Sequence, residues 1–267
     1  GRVVLYGIAA YYVLFAAAAR RASRAYLGRA LGRWAEWPDG FRHVLSFAST
    51  IHDRIYLLNG RFDLFDIEVI GAEALLASLQ RQPGALLIGA HLGSFEVLRA
   101  VGRGRAGLKV AMLMYAENAR KINATLAAIN RAATEDIIEL GRMDSMLQAR
   151  DKLDQGYLVG MLADRGLGDD ATVDCEFLGE MAPFPAGPWR MAAMLRRPVF
   201  FMTGLYLGGN RYRVHFEPLA DFSATPRAGV AAAIAAAQRR YAGRLAHYCR
   251  LAPYNWFNFF DFWRKER

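Results

Sequence analysis

The sequence predicts an α/β protein with a mostly parallel central sheet flanked by helices and an N-terminal membrane-anchoring or interfacial helix. Short apolar runs typical of buried strands alternate with helical segments from residue 62 onward. Residues 3–19 carry no charge and precede Arg20 and Arg21. Apolar residues make up 54% of the 267-residue chain, which is ample for a large core.

The N-terminal segment VVLYGIAAYYVLFAAAA (3–19) has the minimum length for a helix that spans a membrane. A buried core helix is the alternative. The arginines that follow favour an embedded or interfacial anchor, with the rest of the chain on the cytoplasmic side. We therefore expect a membrane-associated helix over 1–33 and a single α/β domain over 34–267.

The first half of the domain is expected to alternate strands and helices. Residues 22–58 have helical periodicity, and Pro38-Asp39-Gly40 predicts a turn between two helices. Strands are predicted in FDLFDIEVI (62–70), GALLIGA (84–90), LKVAMLMY (108–115), DIIEL (136–140) and YLVGMLAD (157–164). Helices are predicted between them, over 72–80, 94–102, 119–133 and 145–156.

The second half predicts an irregular stretch, a hairpin and a long helix. Residues 165–187 are rich in proline and glycine, and a helix follows over 189–197. The runs PVFFMTGLYL (198–207) and YRVHFEPL (212–219) flank a GGN turn as a hairpin, ahead of an alanine-rich helix over 228–251. The aromatic ending PYNWFNFFDFW (253–263) is compatible equally with an interfacial belt and with a seal over the site.

The charge and the cysteines narrow the class of partner. A formal net charge of +9, carried largely by arginine, favours an anionic partner: phospholipid headgroups, nucleic acid or an acidic carrier protein. No aromatic-basic RNA motif or zinc-finger spacing is present, so a membrane ranks above nucleic acid, and no nucleic-acid partner is expected. Cys175 and Cys249 match no metal or redox spacing, and no metal is expected.

The segment GAHLGSFE places His91 where a buried strand ends and a helix begins. Ligands of open α/β sheets bind outside such strand ends, and Gly93 permits close backbone approach. Glu96, in the first helical turn, is expected to reach the imidazole and make it a better general base for a hydroxyl. The alternative is a satisfied core histidine with a glutamate that stabilises the helix start. Ser94 lacks the G-x-S-x-G spacing of a nucleophile.

Other strand ends carry further candidates for substrate binding. Asp164 and Arg165 end the run YLVGMLADR, where a salt bridge and a substrate contact are equally plausible. The remaining candidates follow strands at the same edge of the predicted sheet, either as headgroup phosphate ligands or as exposed polar residues. They are Asn118, Arg120, Lys121 and Arg142.

The motif GAHLGSFEVL resembles the H-x4-D/E motif of the lysophospholipid acyltransferase superfamily. The chain is most similar to the bacterial branch of lipid A late acyltransferases, the lauroyl and myristoyl transferases. The segments KVAMLMYAENARKIN and LVGMLADRGLGDDATVDCEFLGEMAPFPAGPWRMA also resemble that branch.

The resemblance implies transfer of a fatty acyl chain from acyl carrier protein or acyl-CoA to a hydroxyl of a lipid or glycolipid. His91 is the implied base, and Glu96 is implied to hold it and stabilise its charge. No metal and no bound cofactor are implied. The implied partners are a membrane lipid acceptor, acyl carrier protein and an anionic membrane surface, at the cytoplasmic face of a bacterial inner membrane. The rival functions are a non-catalytic lipid-binding scaffold and a lipid or thioester hydrolase that uses the same pair, His91 and Glu96.

Overall fold

A computed structural model describes residues 2–105, 108–115, 137–141, 144–166 and 171–263. The described helices are α1 (Val3–Phe15), α2 (Ala17–Leu31), α3 (Trp37–Leu58), α4 (Ala72–Arg81), α5 (Glu96–Arg105), α6 (Ser145–Asp154), α7 (Gly187–Leu195) and α8 (Val230–Leu251). The described strands are β1 (Asp66–Ile70), β2 (Ala85–Gly89), β3 (Val110–Tyr115), β4 (Ile137–Leu140), β5 (Leu158–Leu162), β6 (Thr172–Phe177), β7 (Glu180–Pro185), β8 (Pro198–Tyr206) and β9 (Arg211–Asp221).

Seven strands form one sheet in the order β1-β9-β8-β2-β5-β3-β4. All neighbours are parallel except β8 and β9, which form the predicted hairpin. Strands β2, β5 and β8 lie in the middle, and β2 is buried along its whole length. This burial on both faces matches the continuous apolar run from which the strand was predicted. The predicted mostly parallel sheet with flanking helices is confirmed.

The predicted helix over 119–133 lies outside the described residues. Two other local predictions are wrong. Pro38-Asp39-Gly40 lies in the first turn of α3 rather than between helices. Proline is tolerated there because a first-turn amide has no acceptor within the helix, and the Glu36 amide donates to Asp39 at 2.9 Å. Part of the predicted irregular stretch forms the antiparallel hairpin β6–β7, whose turn contains Gly179 at φ 93°.

The apolar N-terminal segment forms two helices that bend by 96° at Ala16. The Arg20 side chain donates to the carbonyls of Val13 and Leu14, which have no partner within a helix that ends there. Among the residues that the structure covers, no single helix has the length and apolar character to cross a membrane. Among the same residues, the bent pair α1–α2 has that length and apolar character only when its two helices are taken together.

The two N-terminal helices pack differently against the rest of the chain. Helix α1 buries Ala9 and Val13 against Val44 of α3, in a small cluster of its own. Helix α2 instead places Tyr26 and Leu27 in the main core around the sheet. The second part of the predicted anchor segment is therefore continuous with the core of the α/β domain.

Candidate functional site

The loop after β2 is held against β8 by close backbone contact. Gly93 has φ +73°, and a side chain on it would place its Cβ 2.0 Å from the Gly204 carbonyl oxygen. Its amide donates to the Asn255 carbonyl at 2.8 Å, and the Ser94 amide donates to the Gly204 carbonyl at 2.8 Å. These contacts fix the backbone of the loop and explain why glycine is needed at position 93.

His91 lies beside Asp164 at the carboxyl ends of β2 and β5. Its Nδ1 is 2.9 Å from Asp164 Oδ1, and its backbone amide donates to Oδ2 at 3.1 Å. The two residues are 73 positions apart in the sequence, but β2 and β5 are neighbours in the sheet. The strand order therefore brings two of the predicted site residues together.

Asp164 is fully buried and accepts a third hydrogen bond, from the Trp256 indole Nε1 at 2.9 Å. Burial by itself raises the pKa of Asp164. The His91 charge, the hydrogen bond from its ring, Arg165 and the indole N–H outweigh that effect and hold the pKa below its ordinary value. Asp164 is therefore an ionised carboxylate at neutral pH, and it can only accept hydrogen bonds.

This partner sets the chemistry of the imidazole. Because the carboxylate accepts from Nδ1, that nitrogen carries the proton and Nε2 keeps a free lone pair. No group in the described part of the chain hydrogen-bonds to Nε2, and 39% of the His91 side chain is exposed. The arrangement can take a proton from a bound hydroxyl or water, and Asp164 can stabilise the imidazolium that forms.

The sequence predicted that Glu96 contacts the His91 imidazole, but the structure places its carboxylate elsewhere. Its Oε1 lies 2.7 Å from Arg54 Nε of α3, as an ion pair without an aligned hydrogen bond. Within the described ranges, no hydrogen bond or ion pair joins Glu96 to His91. The prediction that Glu96 orients the imidazole is therefore wrong. Helix α3 packs on α5 and pairs Arg54 with Glu96, while Asp164, just after β5, contacts the His91 ring.

Arg165 lies at the same strand end and faces the C-terminal segment. Its Nη2 donates to the Phe257 carbonyl, and its guanidinium lies 4.9 Å from the centre of the Phe260 ring. Burial lowers the pKa of Arg165, while the Asp164 carboxylate opposes that shift. The Nε atom is buried and has no hydrogen-bond partner in the described part of the chain. Arg165 thus brings a positive charge beside the dyad that His91 and Asp164 form.

Four of the candidates for substrate binding lie outside the described residues. They are Asn118, Arg120, Lys121 and Arg142. Their predicted role in binding headgroup phosphate stays a prediction.

The C-terminal aromatic segment covers the loop that carries His91. The Phe257 amide donates to the His91 carbonyl at 2.8 Å, and Trp256 forms an isolated bridge with Leu92. Trp256 and Phe262 are buried, whereas Phe260 is 43% exposed. The segment therefore chiefly seals this edge of the sheet. Sequence reasoning missed Trp256, although the density of aromatic residues in PYNWFNFFDFW singled out the segment.

Metal-binding side chains are not clustered in the part of the chain that the structure covers. There, no group of three or more histidine, cysteine, aspartate or glutamate side chains has an arrangement that could hold a metal ion. The two cysteines are free and buried.

A family model matches most of the chain. The model for bacterial lipid A biosynthesis acyltransferases matches residues 52–265. The chain belongs to this family. No curated protein gives a significant match.

The family match includes every residue that builds the candidate site. His91, Glu96, Asp164 and Trp256 all fall within 52–265, whereas α1 and α2 precede the match. As a member of the lipid A biosynthesis acyltransferase family, the chain is an acyltransferase of lipid biosynthesis. The Asp164–His91 pair supplies a base of the kind that acyl transfer to a hydroxyl requires.

Proposed function

We propose that the protein transfers a fatty acyl chain from acyl carrier protein or acyl-CoA to a hydroxyl of a membrane lipid or glycolipid. His91 is the general base, and Asp164 orients its ring. The observation that carries the proposal is the buried Asp164 carboxylate on Nδ1 of an imidazole whose Nε2 has no hydrogen-bond partner among the described residues. This arrangement in a lipid A acyltransferase family member supports O-acyl transfer over a purely structural histidine.

The proposed reaction needs one proton shuttle and no covalent intermediate on the enzyme. His91 Nε2 removes the proton of the acceptor hydroxyl as its oxygen attacks the carbonyl carbon of the donor thioester. Arg165, whose Nε lies 3.9 Å from Asp164 Oδ2, is proposed to supply positive charge to the tetrahedral oxyanion. As the intermediate collapses, the carbon–sulfur bond breaks, and the thiolate takes the proton from the imidazolium. The products are an acyl ester and a free thiol.

A lipid surface is the proposed source of the acceptor. Helix α1 exposes large apolar side chains such as Val3, Tyr11 and Phe15, of which Phe15 is 70% exposed. Helix α3 adds exposed Phe47 and Ile51 on the helix that also holds Glu96 through Arg54. Exposed apolar area of this kind favours contact with lipid. We propose that the protein acts at the cytoplasmic face of a bacterial inner membrane.

The net charge supports an acidic donor carrier and an anionic membrane. At +9, the chain attracts acyl carrier protein and anionic headgroups alike, so it can bring the two substrates together. Glu96 is proposed to hold Arg54 in place beside the site rather than to bind the imidazole.

The test is an acyl-transfer assay with the full chain. The donor is acyl carrier protein or CoA that carries a radiolabelled fatty acyl chain. Vesicles of extracted bacterial inner-membrane lipid supply the acceptor. We expect the label in a lipid ester, and His91→Gln should slow transfer on the order of 10³-fold. Exposed His247 provides the matched control, because His247→Gln should leave the rate unchanged.

Two outcomes contradict the proposal. Label released as free fatty acid, without a lipid ester, identifies a hydrolase that activates water with the same dyad. Vesicle binding without turnover of either donor identifies a lipid-binding scaffold. Circular dichroism of His91→Gln must match that of the unsubstituted protein, so that a loss of rate reports on chemistry.

A further inference from the structure

Trp256 stands out among the residues around the dyad because it touches Asp164 but not the free side of the imidazole. Its indole N–H donates to Asp164 Oδ2 at 2.9 Å, and both side chains are fully buried. Asp164 Oδ1 faces the imidazole, so the two oxygens of one carboxylate have different tasks. One oxygen holds the base, and the other is held by the C-terminal segment.

Trp256 is held both through its backbone carbonyl and through its ring. The Trp256 carbonyl accepts from His43 Nε2 at 2.8 Å, and Nδ1 of that histidine lies 2.8 Å from the Ser23 hydroxyl. The ring packs edge-on against Tyr26 at 4.9 Å and Phe177 at 5.1 Å between centroids. Helices α2 and α3 therefore hold Trp256, and Trp256 holds the carboxylate.

We propose that Trp256 is a positioning residue for acyl transfer, whose indole N–H fixes the plane of the Asp164 carboxylate so that Oδ1 meets His91 Nδ1. A carboxylate can rotate about its last side-chain bond, where the energy wells are broad. The His91 amide, 3.1 Å from Oδ2, belongs to the same loop as the base it serves. Of the donors to Asp164 in the described part of the chain, the indole is the one that lies on a separate element, the C-terminal segment.

This inference rests on the proposed function, since it assigns a task within the same site. It also predicts a property that needs no turnover. With the carboxylate fixed, the Nδ1 proton of His91 is held in a persistent hydrogen bond and exchanges slowly with water. Without the indole N–H, the carboxylate moves more freely and that proton exchanges faster.

The experiment compares Trp256→Phe with Trp189→Phe in the full chain. Trp189 is a matched control, because it is also fully buried but its indole N–H has no hydrogen-bond partner in the described part of the chain. We expect Trp256→Phe to lower kcat by about 10- to 100-fold with KM within about twofold. The pH profile of kcat should change as well, because the indole N–H affects how Asp164 interacts with the imidazole.

Trp189→Phe should leave kcat and the pH profile unchanged. In an Asp164→Asn background, Trp256→Phe should cost nothing further, since the indole acts through the carboxylate. If Trp256→Phe fails to fold, replacement by benzothienylalanine keeps the ring shape and removes only the donor. Equal kcat and equal profiles for the donor-free variant and Trp189→Phe overturn the proposal.

NMR of the His91 Nδ1 proton separates this inference from the proposed function. A proton line present in the unsubstituted protein and broadened in the Trp256 variant supports positioning, whatever reaction the protein performs. An unchanged line overturns positioning even if acyl transfer is observed. Absence of transfer together with a broadened line overturns the proposed function alone.

Discussion

His91 and His43 are both hydrogen-bonded at Nδ1, but their environments differ in two ways. His43 is fully buried between the Ser23 hydroxyl and the Trp256 carbonyl, so both ring nitrogens have neutral partners. His91 has an ionised partner on Nδ1, and no group in the ranges that the structure describes hydrogen-bonds to its Nε2. A carbonyl only accepts, so His43 Nε2 carries the proton and Nδ1 accepts from Ser23.

The contrast shows what makes a histidine a base in this fold. Burial lowers the pKa of His43 to about 4, against the opposing hydrogen bond to the Trp256 carbonyl, so the ring is neutral near pH 7. With both nitrogens occupied, it has no site left for a substrate proton. His91 combines an accessible lone pair with a carboxylate that stabilises its charged form.

Removing the charge of the partner should have the largest effect. Asp164→Asn should lower kcat on the order of 10³-fold, because an amide cannot stabilise the imidazolium and can favour the wrong tautomer. Asp39→Asn is the control, since Asp39 is also a buried carboxylate, paired with Arg33 at 2.8 Å. It should leave kcat unchanged. If Asp164→Asn retains kcat within tenfold, Asp164 does not orient the base.

Neutralising Glu96 should lower kcat less than neutralising Asp164 does. The comparison tests which of the two carboxylates orients the His91 imidazole. Glu96→Gln removes a partly exposed pair with Arg54, of a kind worth up to about 1 kcal/mol, so kcat should fall about fivefold. The comparison with Asp164→Asn is made under the same assay conditions. A loss as large as that of Asp164→Asn would place Glu96 directly on the reacting groups.

Replacing His43 should change how the stability of the protein depends on pH. The folded pKa of about 4 lies below the unfolded value of 6.5, so the unfolded chain binds more protons between these values. The contribution of His43 is complete above pH 6.5, and about 3 kcal/mol of stability is lost as pH falls toward 4. His43→Gln should flatten this dependence.

The measurement is the free energy of unfolding by denaturant between pH 4 and 7.5. His247→Gln is the control, because it makes the same substitution at an exposed histidine. A dependence for His43→Gln as steep as that of the unsubstituted protein would show that His43 is not the titrating group.

Much of the fold followed from apolar patterning. The buried strand β2, the hairpin β8–β9 and the long helix α8 were predicted from runs whose length and periodicity leave little choice. The β6–β7 hairpin was missed, because proline and glycine there signal turns but not the pairing between them. The apolar N-terminal segment gave no warning of its bend at Ala16, which the Arg20 side chain stabilises.

The candidate site was likewise predictable in part from the sequence and in part only from the tertiary structure. The sequence by itself determined that His91 and Asp164 end buried strands, because apolar runs and glycines mark where strands stop. Only the tertiary structure decided that they meet, since the strand order places β5 beside β2 across 73 residues. The tertiary structure also decided that Glu96 pairs with Arg54 and that the Trp256 indole donates to Asp164. Local sequence sets where a side chain can be reactive, but long-range packing chooses its partner.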